Sequence, residues 1–446
     1  MSPNKKQRLT QLAIDCSVPV KGLRRVINRL ALENVALEDV ALDERQVERT
    51  LQAAHGHLLT TITLSTTKGE FAWEVGEPSA VLKDYLESPA LRPYVRSMLG
   101  QRGCDPRHPL RLVFYCDEVT PGNALKLDNK RKTNAYYATL VELPPVLRAH
   151  RENWFPMAFL RSTVAKVAVG GWTAIASEIL ALAFVGPKSI ADAGIVINID
   201  FPRTVFFEFF ALIGDSPALS TFMGAKGCNG IVPCPFMCSN LTSITSDVAA
   251  YDDEGILVNS ACSDRTKIIR ATNEQVWEKF DLLEERRPTV TKTKLEDMEK
   301  AAGLNCVPNG VLANRQLRRY LQPAEMIAVD PMHVLVSNGV VNFELYWLFK
   351  QCGWNWCYDS MRTLAAADWR LPKRFQSNII QRPFDPSHQK ASDHKTHCFK
   401  CQAGELLSIM PLVRYSDVGR REPPLLEICL TCFSNWKQLF GRFLLS

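Results

Sequence analysis

Three acids, Asp117, Asp215 and Glu405, each stand where an otherwise apolar element begins or ends. Asp117 closes "LRLVFYCD", Asp215 closes "TVFFEFFALIGD", and Glu405 leads into "LLSIMPLV". A carboxylate leaving the end of a core strand costs desolvation unless water or a cation meets it. Three of them brought together repel one another unless cations settle between them. Mg2+, or Mn2+ in its place, suits such a group: it is hard, seeks oxygen, and is held by a few carboxylates plus substrate phosphate. Two such ions, roughly 3.5–4 Å apart, hold the attacking and leaving oxygens of an in-line phosphodiester displacement. Water or a DNA 3′-hydroxyl is then nucleophile enough. Acids at strand ends also form turns and caps, and the pattern by itself leaves that reading open.

The elements that must position these acids follow from hydrophobic periodicity. Residues 57–75, "HLLTTITLSTTKGEFAWEV", alternate on both sides of "TKGE", which predicts a hairpin with Ile62 and Leu64 facing Phe71 and Trp73. Two short helices are expected near 79–87 and 90–100. Strands follow at "LRLVFYCD" and "TNAYYATLVEL", and "MAFLRSTVAKVAV" reads as a third strand or a strand running into a helix. "TAIASEILALAFV" is a helix by length and composition, and "GIVINID" and "TVFFEFFALIGD" are extended. Three strands, a helix and a further strand are the opening order of a ribonuclease H-like fold. Asp117 and Asp215 end its first and fourth strands if "GIVINID" is a lead-in.

Residues 240–329 carry charged amphipathic patterns at 273–288, 292–304 and 314–323, which predict a mostly helical insertion. Asp330 is expected to cap a largely apolar helix over 330–352, with His333 one turn on and facing the same side. No internal repeat is apparent.

Net charge is +6, and its placement is uneven. Residues 1–32 hold Lys5, Lys6, Arg8, Lys21, Arg24, Arg25 and Arg29 against Asp15 alone, so the rest of the chain sums to zero. Two helix-like halves hinged at "SVP", the second carrying Lys21, Arg24, Arg25 and Arg29, form a candidate DNA-touching helix-turn-helix. A solvated helix face or a nuclear-import signal accounts for the same charges. "KLDNKRK", with Lys130, Arg131 and Lys132, follows the first acid, and "WRLPKRF" precedes the last. Basic loops beside such a site would neutralise phosphates along a DNA track, or be ordinary solvated loops.

Fourteen cysteines without an apolar secretory leader favour reduced thiols or metal sites over disulfides. Cys228, Cys234 and Cys238, completed by Cys398 and Cys401 or by Cys429 and Cys432, could form a structural Zn2+ site, with His397 as another ligand. Buried free thiols are the alternative. The longest apolar stretch, 173–186, is too short to span a bilayer and is broken by Glu178, so no membrane partner is expected and the chain reads as soluble and intracellular.

Four blocks resemble transposases of the CACTA (En/Spm)-like group and its fungal and protist relatives. "CDEVTPGNALKLDNKRKTNAYYATLVELP" is similar to their first catalytic block, with an aspartate ending a strand before a Gly-Asn turn. "IGDSPALSTFMGAKGCNGIVPCPFMCSN" resembles the second, "DPMHVLVSNGVVNFEL" their Asp-x-x-His signature in Asp330 and His333, and "CQAGELLSIMPLV" the segment of the final glutamate. The cysteine pair of the family is usually closer than Cys234 and Cys238 are here.

The resemblance implies an α/β chain with an RNase H-like mixed sheet, flanking helices, a helical insertion and a DDE triad of Asp117, Asp215 and Glu405 binding Mg2+. Glu344 is the reserve for the third acid, and Asp330 and His333 are expected beside the catalytic centre. The expected divisions are a basic helical region at 1–55, a hairpin with short helices at 56–105, core at 106–239, insertion at 240–329 and remaining core at 330–446. The expected activity is cleavage and transfer of double-stranded DNA in the nucleus by a homo-oligomer holding two element ends. A host-retained, inactive DNA-binding copy and an RNase H-like nuclease without strand transfer are the alternatives.

Overall fold

The computed structural model describes residues 55–119, 132–232, 234–236, 238–241, 250–251, 257–259, 268–330 and 339–353, with isolated positions between 355 and 413. Two antiparallel strands come first, β1 (Leu59–Thr66) and β2 (Gly69–Gly76). Ile62 pairs with Trp73 and Leu64 with Phe71, the register that alternation predicts. Leu64, Trp73 and Val75 turn their side chains into the core, and the Trp73 indole N–H donates to the Phe159 carbonyl at 2.9 Å. Helices α1 (Pro78–Glu87) and α2 (Arg92–Leu99) follow, each opened by a proline in its first turn, where the missing N–H costs no bond.

The central sheet begins with β3 (Leu110–Val119), β4 (Thr133–Leu140) and β5 (Phe155–Arg161), each antiparallel to the one before. Helix α3 (Gly171–Phe184) then follows, packing Phe184 against Phe114 and Phe209, and a small hairpin of β6 (Ile195–Asn198) and β7 (Pro202–Val205) leads in to β8 (Phe207–Gly214). β8 lies parallel to β3 on the side away from β4. Both faces of β3 are covered, as its dense apolar run requires. Leu110, Leu112, Phe114 and Cys116 enter the main core, while Val113 packs on the other face with Val141 and Ala211. Phe114 meets Phe209 edge-on, with ring centroids 4.9 Å apart, and Phe184 at 6.3 Å.

After α4 (Ser216–Met223) the chain makes a long excursion. It contains short strands β9 (Cys238–Leu241), β10 (Ala250–Tyr251), β11 (Leu257–Asn259) and β12 (Ile268–Arg270), then helices α5 (Asn273–Arg286) and α6 (Lys292–Ala302). The region expected to be mostly helical is thus mixed. The helix predicted over 314–323 is a single 3-10 turn, Arg318–Tyr320. Its arginines are spaced to meet acids on α5 rather than to line a helix face: Arg315 and Arg318 each bond Asp281, at 2.7 and 2.8 Å. α6 ends on Gly303 at φ 74°, where a Cβ would lie 2.3 Å from the Val232 carbonyl oxygen, so only glycine lets the chain turn there.

The excursion ends in a strand that periodicity did not show, β13 (Ile327–Val329), parallel to β8 at the sheet edge. The complete order is β13-β8-β3-β4-β5, a five-stranded mixed sheet with helices packed against it. Helix α7 (Val340–Cys352) starts ten residues beyond Asp330, with Gly339 at its cap. Asp330 is therefore not the cap of that helix. Its backbone N–H instead donates to the Gly214 carbonyl at 2.7 Å, which extends the β8–β13 pairing. Among the described residues no helix is long and apolar enough to cross a membrane.

Candidate active site

Asp117 and Asp215 come together at one end of this sheet. The β3–β8 register pairs Tyr115 with Ile213, and a Cβ on Gly214 would lie 3.4 Å from the Cys116 carbonyl oxygen, so the two strands stay adjacent up to the acids. Neighbouring strands lie roughly 4.8 Å apart. Both aspartates, each half-buried, line one cleft of about 310 Å³ together with Glu118, Asn134, Trp172 and Thr221. Among the described residues lining it there is no Lys or Arg.

Each aspartate is held by its local chain. Asp117 shares a face of β3 with Tyr115, two residues back, whose hydroxyl donates to Asp117 Oδ2 at 3.1 Å. The Glu118 backbone N–H donates to Oδ1 at 2.7 Å. Asp215 is the N-cap of α4, and its Oδ1 accepts the Ala218 N–H at 2.7 Å. "DSPAL" supplies both requirements of such a start, an acid at the cap and a proline in the first turn. The capping role expected of a strand-end acid is thus real for Asp215, and it coexists with a place on the cleft wall.

Electrostatics tie the two acids to one neighbourhood. The Cys116 thiol is pushed up to about 12, first by burial and then by the charges of Asp215 and Asp117. The Tyr115 phenol is also raised, by burial, by Asp117 and its hydrogen bond to it, and by the charge of Asp330. Asp330, following β13, therefore belongs to the same end of the sheet.

Glu118 lines the cleft but is engaged elsewhere. Its carboxylate accepts from Ser162 Oγ at 2.8 Å and from Lys132 Nζ at 2.6 Å, and Asn134 donates to the same serine at 3.0 Å. Burial opposes its charge, but the bonds from Lys132 and Ser162, with the Lys132 and Lys166 charges, outweigh burial and hold it below the ordinary carboxylate range. Lys132, expected to meet DNA phosphate, is thus paired with Glu118.

Other expected site residues fall differently. Glu344 is half-buried on α7 and does not line the cleft. Cys234 is a half-buried free thiol, and only the backbone of Cys228 and Cys238 is described. Glu405, His333, Cys398 and Cys401 lie outside the described residues, as do Lys21, Arg24, Arg25, Arg29, Lys130, Arg131, His397, Cys429 and Cys432. Among the described residues no three His, Cys, Asp or Glu side chains are grouped to hold a metal ion. Tyr115, Ser162, Asn134 and Trp172 were not anticipated as site residues. Only Tyr115 had a sequence signal, its position two residues before an acid on a strand.

No protein-family model matches the chain. No curated protein matches it significantly either.

Proposed function

We propose that this chain is a transposase-like protein with an RNase H-like core that cleaves and joins double-stranded DNA by cation-dependent phosphoryl transfer. The observation that carries the reading is the placement of Asp117, near the end of β3, and Asp215, directly after β8, on one cleft beside these adjacent parallel strands, in a sheet ordered fifth-fourth-first-second-third by its chain sequence. Three antiparallel strands followed by two parallel ones on the other side of the first is the arrangement an RNase H-like core requires.

The cleft fits a hard divalent cation. Its acids supply oxygen donors, Lys132 pairs with Glu118, and no basic side chain among the described residues lines the wall beside the two aspartates. Asp117 and Asp215 would hold the cation, with Glu405 as the third acid that the resemblance implies. When bound, Mg2+ or Mn2+ would supply charge stabilisation for an in-line displacement at phosphorus. The chain's own part is to fix the two carboxylates through Tyr115, the Glu118 amide and the α4 N-terminus. The basic N-terminal block would track DNA phosphates, and pairing of two element ends calls for an oligomer acting in the nucleus.

Labelled double-stranded DNA incubated with the protein and Mg2+ or Mn2+ tests the reading. Wild-type protein nicks and joins strands, whereas Asp117→Asn binds DNA and does neither. Equal nicking by both proteins, or none by wild type with either cation, overturns it. Nicking without joining points to a nuclease.

A further inference from the structure

Asp117 is gripped from both sides, and the two grips have different origins. The Glu118 N–H on Oδ1 is part of the strand backbone, and its residue is anchored by Lys132 and Ser162. The Tyr115 hydroxyl on Oδ2 is a side-chain donor reaching along one face of β3. Its ring is itself fixed. Trp154 meets it edge-on at 6.1 Å and 74°, and the Trp154 indole N–H donates to the Arg148 carbonyl at 2.8 Å. A phenol so placed has little freedom to swing away. Each oxygen of Asp117 accepts one of these bonds, and a carboxylate oxygen has two lone-pair sites, so acceptor capacity remains on both.

We infer that Tyr115 is a positioning residue, whose hydroxyl holds the Asp117 carboxylate in the orientation that presents it to a divalent cation in the cleft. This rests on the proposed function. Ligating carboxylates depend on such outer hydrogen bonds, because a carboxylate that must be ordered on binding gives up part of its affinity to that ordering. Tyr137, paired with Tyr115 from β4, supplies the control: the charge of Asp117 reaches its phenol as well, but the hydroxyl bond to Asp117 comes from Tyr115.

The test uses the full chain and Mn2+ alone, read by the electron paramagnetic resonance signal of free aqueous Mn2+, with a thermal melt of each protein. Tyr115→Phe removes a single oxygen and is expected to weaken Mn2+ binding by roughly 10–100-fold. Its melting temperature stays close to wild type, and raising Mn2+ restores nicking. Tyr137→Phe binds Mn2+ as wild type does, and Asp117→Asn loses the site. Wild-type affinity in Tyr115→Phe, with the site lost in Asp117→Asn, overturns the role of Tyr115 and leaves the proposed function standing. Absence of any Mn2+ binding that Asp117→Asn abolishes overturns both. An equal loss of affinity in Tyr137→Phe also overturns it, because the effect is then general to the sheet.

Discussion

Asp117, near the end of β3, and Asp215, directly after β8, each stand two residues beyond the paired Tyr115 and Ile213 of these neighbouring parallel strands. The ladder holds the two strands together up to that pair, which carries both acids to the same end of the sheet.

Asp215 carries two duties that substitution separates. Asparagine is as good an N-cap as aspartate, so Asp215→Asn should leave urea stability nearly unchanged, while Asp215→Ala should cost about 1 kcal/mol. Both should abolish divalent-dependent nicking. Retained nicking in Asp215→Asn would reduce the residue to a cap.

Glu142 tests the opposite end of the sheet. Its side chain is only 8% exposed and accepts from Arg111 Nε at 2.9 Å, with Arg102 Nε at 3.6 Å. Glu142→Ala leaves the half-buried Arg111 without this carboxylate, while Arg102 keeps Glu208, and should destabilise by about 1–3 kcal/mol in denaturant melts. A loss well under 1 kcal/mol would mean that water already solvates the pair.

Cys306 tests burial through pH. Its thiol is raised above the ordinary value of 9.0, mainly by burial, with Arg287 opposing and Glu299 and Glu284 adding to the rise. A raised acid keeps its proton in the fold after the unfolded chain has lost it. Its stability contribution is full below about pH 9 and falls as pH rises through the folded value. Native protein at pH 8.5 should therefore alkylate exposed Cys104 well before Cys306, and Cys306→Ala should flatten the loss of stability on the alkaline side. Equal labelling rates would contradict the burial.

Much of the framework was legible because the relevant residues alternate cleanly. The "TKGE" turn fixed the register of Ile62 with Trp73, and the dense run at 110–116 announced a strand covered on both faces. The fifth strand escaped because three residues, Ile327–Val329, are too few for a period, and the apolar run after Asp330 drew that acid into a helix instead. The charged stretch at 314–323 misled for a different reason. Its spacing serves partners on another element, Asp281 and Glu284 of α5, which no local pattern can reveal. At the site, Asp215 does directly follow its strand, whereas the expected stop at Asp117 is wrong: β3 runs on to Val119, because Glu118 and Val119 still pair with Asn134 and Thr133 of β4. The tie between Lys132 and Glu118 was hidden, since it depends on β3 and β4 lying side by side.

The chain departs from the sheet after Gly214 and rejoins it one strand over, where Val329 pairs with that same glycine. Take-off and landing are thus clasped by the ladder itself, whatever lies between them. Loop-closure entropy grows only by about 0.6 kcal/mol for each doubling of length. Surface turns within the detour can accordingly be lengthened, or carry a grafted module, while Asp215 and Asp330 keep their spacing.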